Sequence, residues 1–176
     1  MTRPEIRTRH LHLRPMQEDD VDRIVRFLSD FEVSKWLARV QHPYEESHAI
    51  DWVKRNQSQR PADQSGFVLD MGDGLIGSIG YHLIDEIPNV GYWLAKPFWG
   101  RGLMSEAVEA VIAWLFSVSD HQLIRSGIFE GNQASLRIQQ KLGFKIIGSE
   151  KKHCLARGKN LTHLEMRLSR RRFEER

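Results

Sequence analysis

The sequence predicts a mixed α/β (α+β) fold, one twisted sheet of about seven strands flanked by helices, and three observations carry that expectation. A short apolar run, Val90 to Leu94, passes through a glycine-bearing turn into a helix whose Val108, Val111, Ile112, Leu115 and Phe116 recur at helical spacing. Gly72-Asp73-Gly74 and Arg157-Gly158-Lys159-Asn160 separate strand-like runs and read as hairpin connections. The elements follow the order βαα-βββ-α-β-α-ββ, which implies helices layered on a sheet.

Taken in order, Leu11 and Leu13 alternate with His10, His12 and Arg14 before Pro15, a short strand ended by a residue that cannot extend a ladder. Asp19 and Asp20 introduce Val21, Ile24, Val25, Leu28 and Phe31, acids at the start of an amphipathic helix. Val33, Trp36 and Leu37 suit a further short turn. Pro43 fits a first helical position, with Glu45 and Glu46 behind it, and this helix is expected to end near Arg60-Pro61. Gly66 to Met71 and Leu75 to Ile84 form a hairpin, and another strand follows Pro88. Gly77 and Gly80 inside the middle strand imply a bulge or a close backbone approach. Leu123 to Phe129 is strand-like, Asn132 to Leu142 helical and closed by Gly143, and Lys145 to Lys152 pairs with Leu161 to Leu168.

The 176 residues suit one domain, 1–176, with a basic tail at 169–176 and no repeat or low-complexity segment before it. Composition is ordinary for a folded chain, at 40% hydrophobic and 28% charged. The net charge of +3 owes much to Arg170, Arg171, Arg172 and Arg176, so it does not call for nucleic acid and fits an acidic phosphorylated cofactor equally. A single cysteine, Cys154, excludes an internal disulfide or a cysteine-cluster metal site and suits inert packing. No leader-like or membrane-spanning apolar run is present, so the chain reads as cytoplasmic with no membrane partner.

The turn before the central helix carries the chemistry. Gly100 and Gly102 allow a sharp turn with amide groups outward, and the helix behind them adds partial positive charge, so Ala95 to Ala107 reads as a seat for an anion. The segment is neither a dinucleotide fingerprint nor a P-loop, and a plain tight turn before a core helix also fits the glycine pair.

Three local patterns stand out: Gly77-Ser-Ile-Gly80-Tyr-His82-Leu-Ile-Asp85, then Gly91-Tyr-Trp-Leu94 running into Phe98-Trp-Gly-Arg-Gly-Leu-Met-Ser-Glu-Ala107, then Asn132-Gln-Ala-Ser135 followed by Lys141-Leu-Gly-Phe144. In this order they resemble the GNAT N-acetyltransferases, and within them the RimJ/RimL ribosomal-protein type. The likeness covers nearly the whole chain and implies a mostly antiparallel sheet and acetyl-CoA as cosubstrate; the eight histidines show no HExxH or comparable spacing, so no metal is expected. It assigns the coenzyme to Trp93, Leu94, Trp99, Gly100, Arg101, Gly102, Leu103, Met104, Ser105 and Asn132. Amides from Arg101 to Ser105 would take the pyrophosphate, a backbone N–H near Trp93 or Leu94 the thioester oxygen, and Asn132 the pantetheine amides. Pro97 departs from the Gln/Arg that usually opens the family's loop. Asn132 reads equally as a helix N-cap, and Trp93 or Tyr92 as a wall aromatic.

The resemblance makes Ser135 the acid that protonates the departing thiolate. The glutamate serving that type as base falls on Cys154, so the base is missing. His82 has the best chemical claim, with Glu150, His153, Asp85, Glu86 and Glu32 as substitutes. The expected activity is direct acetyl transfer to a primary amine, the N-terminal α-amine of a ribosomal protein being preferred. Alternatives are a small-amine acetyltransferase or a catalytically silent acyl-CoA-binding module. A homodimer is compatible with the sequence, which does not fix the oligomeric state.

Overall fold

The computed structural model describes residues 4–58 and 64–176. Eight strands form one sheet in the order β1-β2-β3-β4-β5-β6-β8-β7: β1 Ile6–Arg7, β2 His12–Arg14, β3 Gln64–Asp70, β4 Leu75–Ile84, β5 Ile87–Leu94, β6 Leu123–Phe129, β7 Lys145–Cys154 and β8 Lys159–Ser169. The eighth strand beyond the expected seven is β1, too short to show alternation. It pairs with β2 through Ile6↔Leu13 and Arg7↔His12, across a turn in which the Thr8 hydroxyl donates to the Leu11 carbonyl. Every pairing is antiparallel except β5 with β6.

The helices are α1 Val21–Leu28, α2 Phe31–Ser34, α3 Glu46–Ser58, α4 Leu103–Val118, α5 Gln133–Lys141 and α6 Arg170–Glu174. On one sheet face, α4 and α5 seal a continuous core that includes Val111, Ile112, Ile79, Ile124 and Leu168. On the other, α1 to α3 pack a second core around Ile24, Val53, Val68, Leu75 and Trp93. That core reaches only the β2–β5 half; among the described residues no helix packs on the same face of β6, β8 and β7, where the segment after α2 reaches only the far end of β7 at Cys154.

Several local expectations change. Pro43 lies ahead of α3 rather than at its first position, because buried Tyr44 anchors the segment in the second core and the helix opens only at Glu46. The expected helix end at Arg60-Pro61 falls outside the described residues. Asp20 is not a solvated helix-start acid but a buried one, which accepts two guanidinium N–H bonds from Arg14 at 2.8 and 2.9 Å. Arg14 also donates to Asp70 at 2.8 Å, so one cation ties α1 to the β2–β3 pair. In the basic tail, Arg170 donates to the carbonyls of Phe116, Ser119 and His121, satisfying the C-terminal end of α4. The glycines of β4 are explained by close strand approach: a Cβ at Gly77 would lie 2.5 Å from the Trp93 carbonyl, and one at Gly80 would lie 2.8 Å from that of Ser65.

Candidate active site

The parallel pairing of β5 and β6 lasts for two residues, Asn89↔Arg125 and Val90↔Ser126, and then the strands part. The vertex is fixed by polar contacts rather than further ladder. Ser126 donates its hydroxyl to the Val90 carbonyl at 2.9 Å, and buried Gln139 of α5 donates to the Ser126 oxygen at 2.8 Å. Beyond the vertex β5 presents backbone to open space. Ala95 donates its N–H to Ile76, and antiparallel bonding alternates, so the amides of Trp93 and Gly91 face β4. Those of Tyr92 and Leu94 face the opening. Of the two positions expected to offer an N–H there, Leu94 does and Trp93 does not. The Leu94 carbonyl is already taken by the Trp99 indole N–H at 2.7 Å.

The turn follows directly. Gly100 and Gly102 hold φ of +74° and +75°, left-handed values that disfavour other residues, and Gly102 is the N-cap of α4. A Cβ at either glycine would touch nothing within 4 Å, so these positions are fixed by backbone angle and not by crowding. The first bond of α4 runs from the Glu106 N–H to the Gly102 carbonyl, which leaves the amides of Leu103, Met104 and Ser105 without an intrahelical acceptor. Arg101 lies 5.9 Å from the Phe98 ring centre, and Trp99 is exposed. Asn132 is the N-cap of α5: its Oδ1 accepts the Ser135 N–H at 3.2 Å, while its Nδ2 keeps two hydrogens to donate. Ser135 is half-buried, and its carbonyl accepts from the Tyr92 hydroxyl at 3.5 Å.

Turn, opening and α5 share one cavity of about 1540 Å³ with the uncovered sheet face. His82 is in its wall, on the face opposite Ile79 and Tyr81, which belong to the α4 core. Burial, and then the positive charges of Arg39 and Lys152, hold its imidazole below the ordinary histidine range. The substitutes nominated from sequence are dispersed. Asp85 and Glu86 form a left-handed two-residue turn between β4 and β5, with Asp85 81% exposed and 3.3 Å from Arg125. Glu32 pairs with Lys35 at 2.8 Å, and His153 bonds Asn160. Only Glu150 shares the cavity wall, pairing with Lys152 at 3.6 Å. Cys154 is fully buried against the Lys35 carbonyl.

Sequence reasoning missed His163 on β8, whose ring covers Gly127: a Cβ there would lie 2.1 Å from its Cε1. Burial pushes this imidazole down to about 4, and its nearest carboxylate, Glu150, is 3.8 Å away. The alternation of Leu161 to Leu168 was the available signal, since it sets His163, Glu165 and Arg167 on one face. Buried polar atoms without partners also gather here. Of the five among the described residues, those of Trp93, Gln139, His163 and Arg167 belong to cavity-lining side chains, and only that of Ser34 does not. Such groups are costly unless something pairs with them.

Comparison with known proteins bears on the same elements. A family model for the acetyltransferase (GNAT) domain matches residues 10–145, which run from β2 through the opening, the turn and α5. YdaF of Bacillus subtilis (strain 168), whose name assigns it provisionally to the ribosomal N-acetyltransferases, is 25% identical over 145 residues, covering 77% of this chain and 78% of its own. The uncharacterized N-acetyltransferase p20 of Bacillus licheniformis is 27% identical over 158 residues, covering 86% and 88%. In fold the chain is similar to RimL, the ribosomal L7/L12 alpha-N-protein acetyltransferase solved with coenzyme A, at a TM-score of 0.83 and 18% identity over 94% of this chain and 98% of that one. The parted strands and glycine turn thus lie in the region that a family shares, and the chain belongs to the GNAT acetyltransferases, enzymes that move an acetyl group from acetyl-CoA to an amine.

Proposed function

We propose that the chain, working as one cytoplasmic domain, acetylates the N-terminal α-amine of a protein, in the manner of the RimJ/RimL ribosomal type. The observation that carries the reading is the pairing of β5 and β6 that stops after Val90↔Ser126, next to an anion-ready helix start. The amides of Leu103, Met104 and Ser105, with Arg101 beside them, hold the pyrophosphate. Asn132 donates Nδ2 to the pantetheine, which lies in the opening as an added strand along Tyr92 and Leu94. Of the two amides aimed into the opening, Leu94 bonds the arm and Tyr92, farther from the pyrophosphate, stabilises the thioester oxygen as negative charge develops on it. Trp99 and Trp93 wall the two ends of the arm. The acceptor nitrogen attacks the carbonyl carbon, the C–S bond breaks, Ser135 supplies a proton to the thiolate, and the ammonium proton passes to His82.

His82 is a weak base in this setting, and the acceptor explains why a weak one suffices. An α-amine with a pKa near 8 has a useful neutral fraction at pH 7, whereas lysine at about 10.4 does not. The names of YdaF and RimL agree with this choice of acceptor. The test is a peptide panel followed by release of free coenzyme A thiol. Peptides with free α-amines react faster than matched peptides offering only lysine, and the rate rises with pH up to about the α-amine pKa. A preference for lysine or polyamines over every N-terminal peptide refutes the ribosomal-type reading and leaves acetyl transfer intact.

A further inference from the structure

The uncovered sheet face carries a row of side chains of which the acetyl-transfer chemistry uses only His82. Register pairs place His82 opposite Asn89, Asn89 opposite Arg125, Arg125 opposite Arg167 and Arg167 opposite Lys145. Directly paired residues project from the same face, so five adjacent strands present His, Asn, Arg, Arg and Lys in line. Three cations side by side repel one another, an arrangement that costs stability unless an anion bridges them. The protein's own carboxylates do little of this. Asp85 reaches Arg125 at 3.3 Å, but from a position 81% exposed. Glu150 is engaged with Lys152, and Glu175 with Arg171. Glu165, on the same face, forms no ion pair with Arg167 within 4 Å. Arg167 has a buried Nε without a partner, and it lines both the main cavity and a smaller one of about 380 Å³ that Lys145, Arg171 and Arg172 also edge.

We infer that the acetyl acceptor carries an anionic group, a carboxylate or a phosphate, close to its amine, and that Arg125 and Arg167 bind it. The inference rests on the acetyl-transfer reading of the site and names the class of amine it accepts. The row is distinct from the coenzyme's own anion seat. It crosses β5 at Asn89, five residues before Leu94, or about 17 Å of strand from the end where the glycine turn begins. It lies instead beside the vertex of the opening, where Val90 and Ser126 still pair. His82 is two strands from Arg125, about 10 Å. The Tyr92 N–H enters the opening three residues from Asn89, about 10 Å of strand, so an amine attacking a thioester held there from the uncovered face has an anion site within the reach of one residue's side chain. Arg39 and Lys152, which act on His82 from the segment after α2 and from β7, add to the same positive field and further disfavour a cationic neighbour to the amine.

The test uses three tetrapeptide amides with the same free α-amine, differing only at the second residue: aspartate, phosphoserine or asparagine. The parent enzyme turns over at least one anionic peptide about tenfold better in kcat/KM than the asparagine peptide, mostly through KM. In Arg167→Gln, and separately in Arg125→Gln, the anionic-to-neutral ratio falls to near one, while coenzyme A affinity by calorimetry is unchanged. The aspartate and phosphoserine arms tell carboxylate from phosphate. A parent that prefers the neutral peptide, or a variant that slows all three equally, overturns the inference. If no peptide is acetylated, the N-terminal reading fails, and a binding measurement still decides this one. Succinate and inorganic phosphate, titrated into the coenzyme A-loaded protein, shift the amide resonances around Arg125 and Arg167 in the parent and not in Arg167→Gln. Identical shifts in both proteins, or none in the parent, overturn it.

Discussion

The cleft has two halves built by different means. On the side proposed for the coenzyme the groups that face the opening are backbone: the amides of Leu103 to Ser105 and of Leu94, released by a left-handed turn and by strands that stop pairing. On the side proposed for the acceptor they are side chains, His82, His163, Arg125 and Arg167, set in place by register across β4 to β8. A backbone site depends on a few angles and is indifferent to most neighbouring residues. A side-chain site depends on which residue each strand presents at one level of the sheet, so it can change acceptor without disturbing the coenzyme. The comparison predicts that variants in the first half act on binding outright, and that variants in the second act on rate, preference or pH response.

The largest effect expected is that of Gly102→Val. A β-branched residue at φ +75° is strained by roughly 1–3 kcal/mol, and relief of that strain turns the α4 amides away from the ligand. Acetyl-CoA binding measured by calorimetry is lost, while near-ultraviolet circular dichroism still reports a folded protein. A folded variant that binds as tightly as the parent breaks the assignment of the turn. Ser135→Ala comes next. The residue gives its backbone N–H to Asn132, so the cap of α5 survives the change and coenzyme affinity holds. Turnover drops about 10²-fold if the hydroxyl transfers a proton. Unchanged turnover makes Ser135 a helix-surface residue and moves the acid elsewhere.

The same division explains what the sequence could reveal. Glycine punctuation at Gly100 and Gly102, the helical period of α4 and the N-cap at Asn132 are local signals, and the structure sets the glycine turn and Asn132 on the wall of the cavity. The alternation of β6 was equally local, and its bounds matched residue for residue at Leu123–Phe129. What stayed hidden needed partners far apart in the chain. Nothing near Asp20 shows that Arg14 will bury it, and nothing near His163 shows that Gly127 leaves a space for its ring. Arg125, Arg167 and Lys145 come into line only because β8 lies between β6 and β7, an order the sequence does not display. The missing general base belongs to the same class, since the acidic substitutes weighed from sequence are turn residues, Asp85 and Glu86, or a helix residue, Glu32, except Glu150 on the edge strand β7.

His163 offers the smallest and most discriminating test of the acceptor half. Its imidazole falls to about 4 because its side chain, 13% exposed, is costly to charge, with Lys152 adding to the effect and Glu150 opposing it. Between pH 4 and the ordinary value of about 6.5 the unfolded chain therefore binds a proton that the folded one does not, and stability rises with pH through that window. The contribution is complete above about 6.5 and is lost as the pH falls toward 4. The full shift corresponds to about 3 kcal/mol, and roughly half of that is expected once screening in an open trough is counted. Asp70 and Glu106, whose carboxyls are held below their usual range, respond at lower pH and are common to parent and variant. Urea unfolding at pH 7.5 and 4.5 then isolates the histidine: the parent loses about 1–2 kcal/mol more between the two than His163→Gln does. Equal losses mean that this ring is solvated in both states, and that the acceptor half is wetter and less constrained than the coenzyme half beside it.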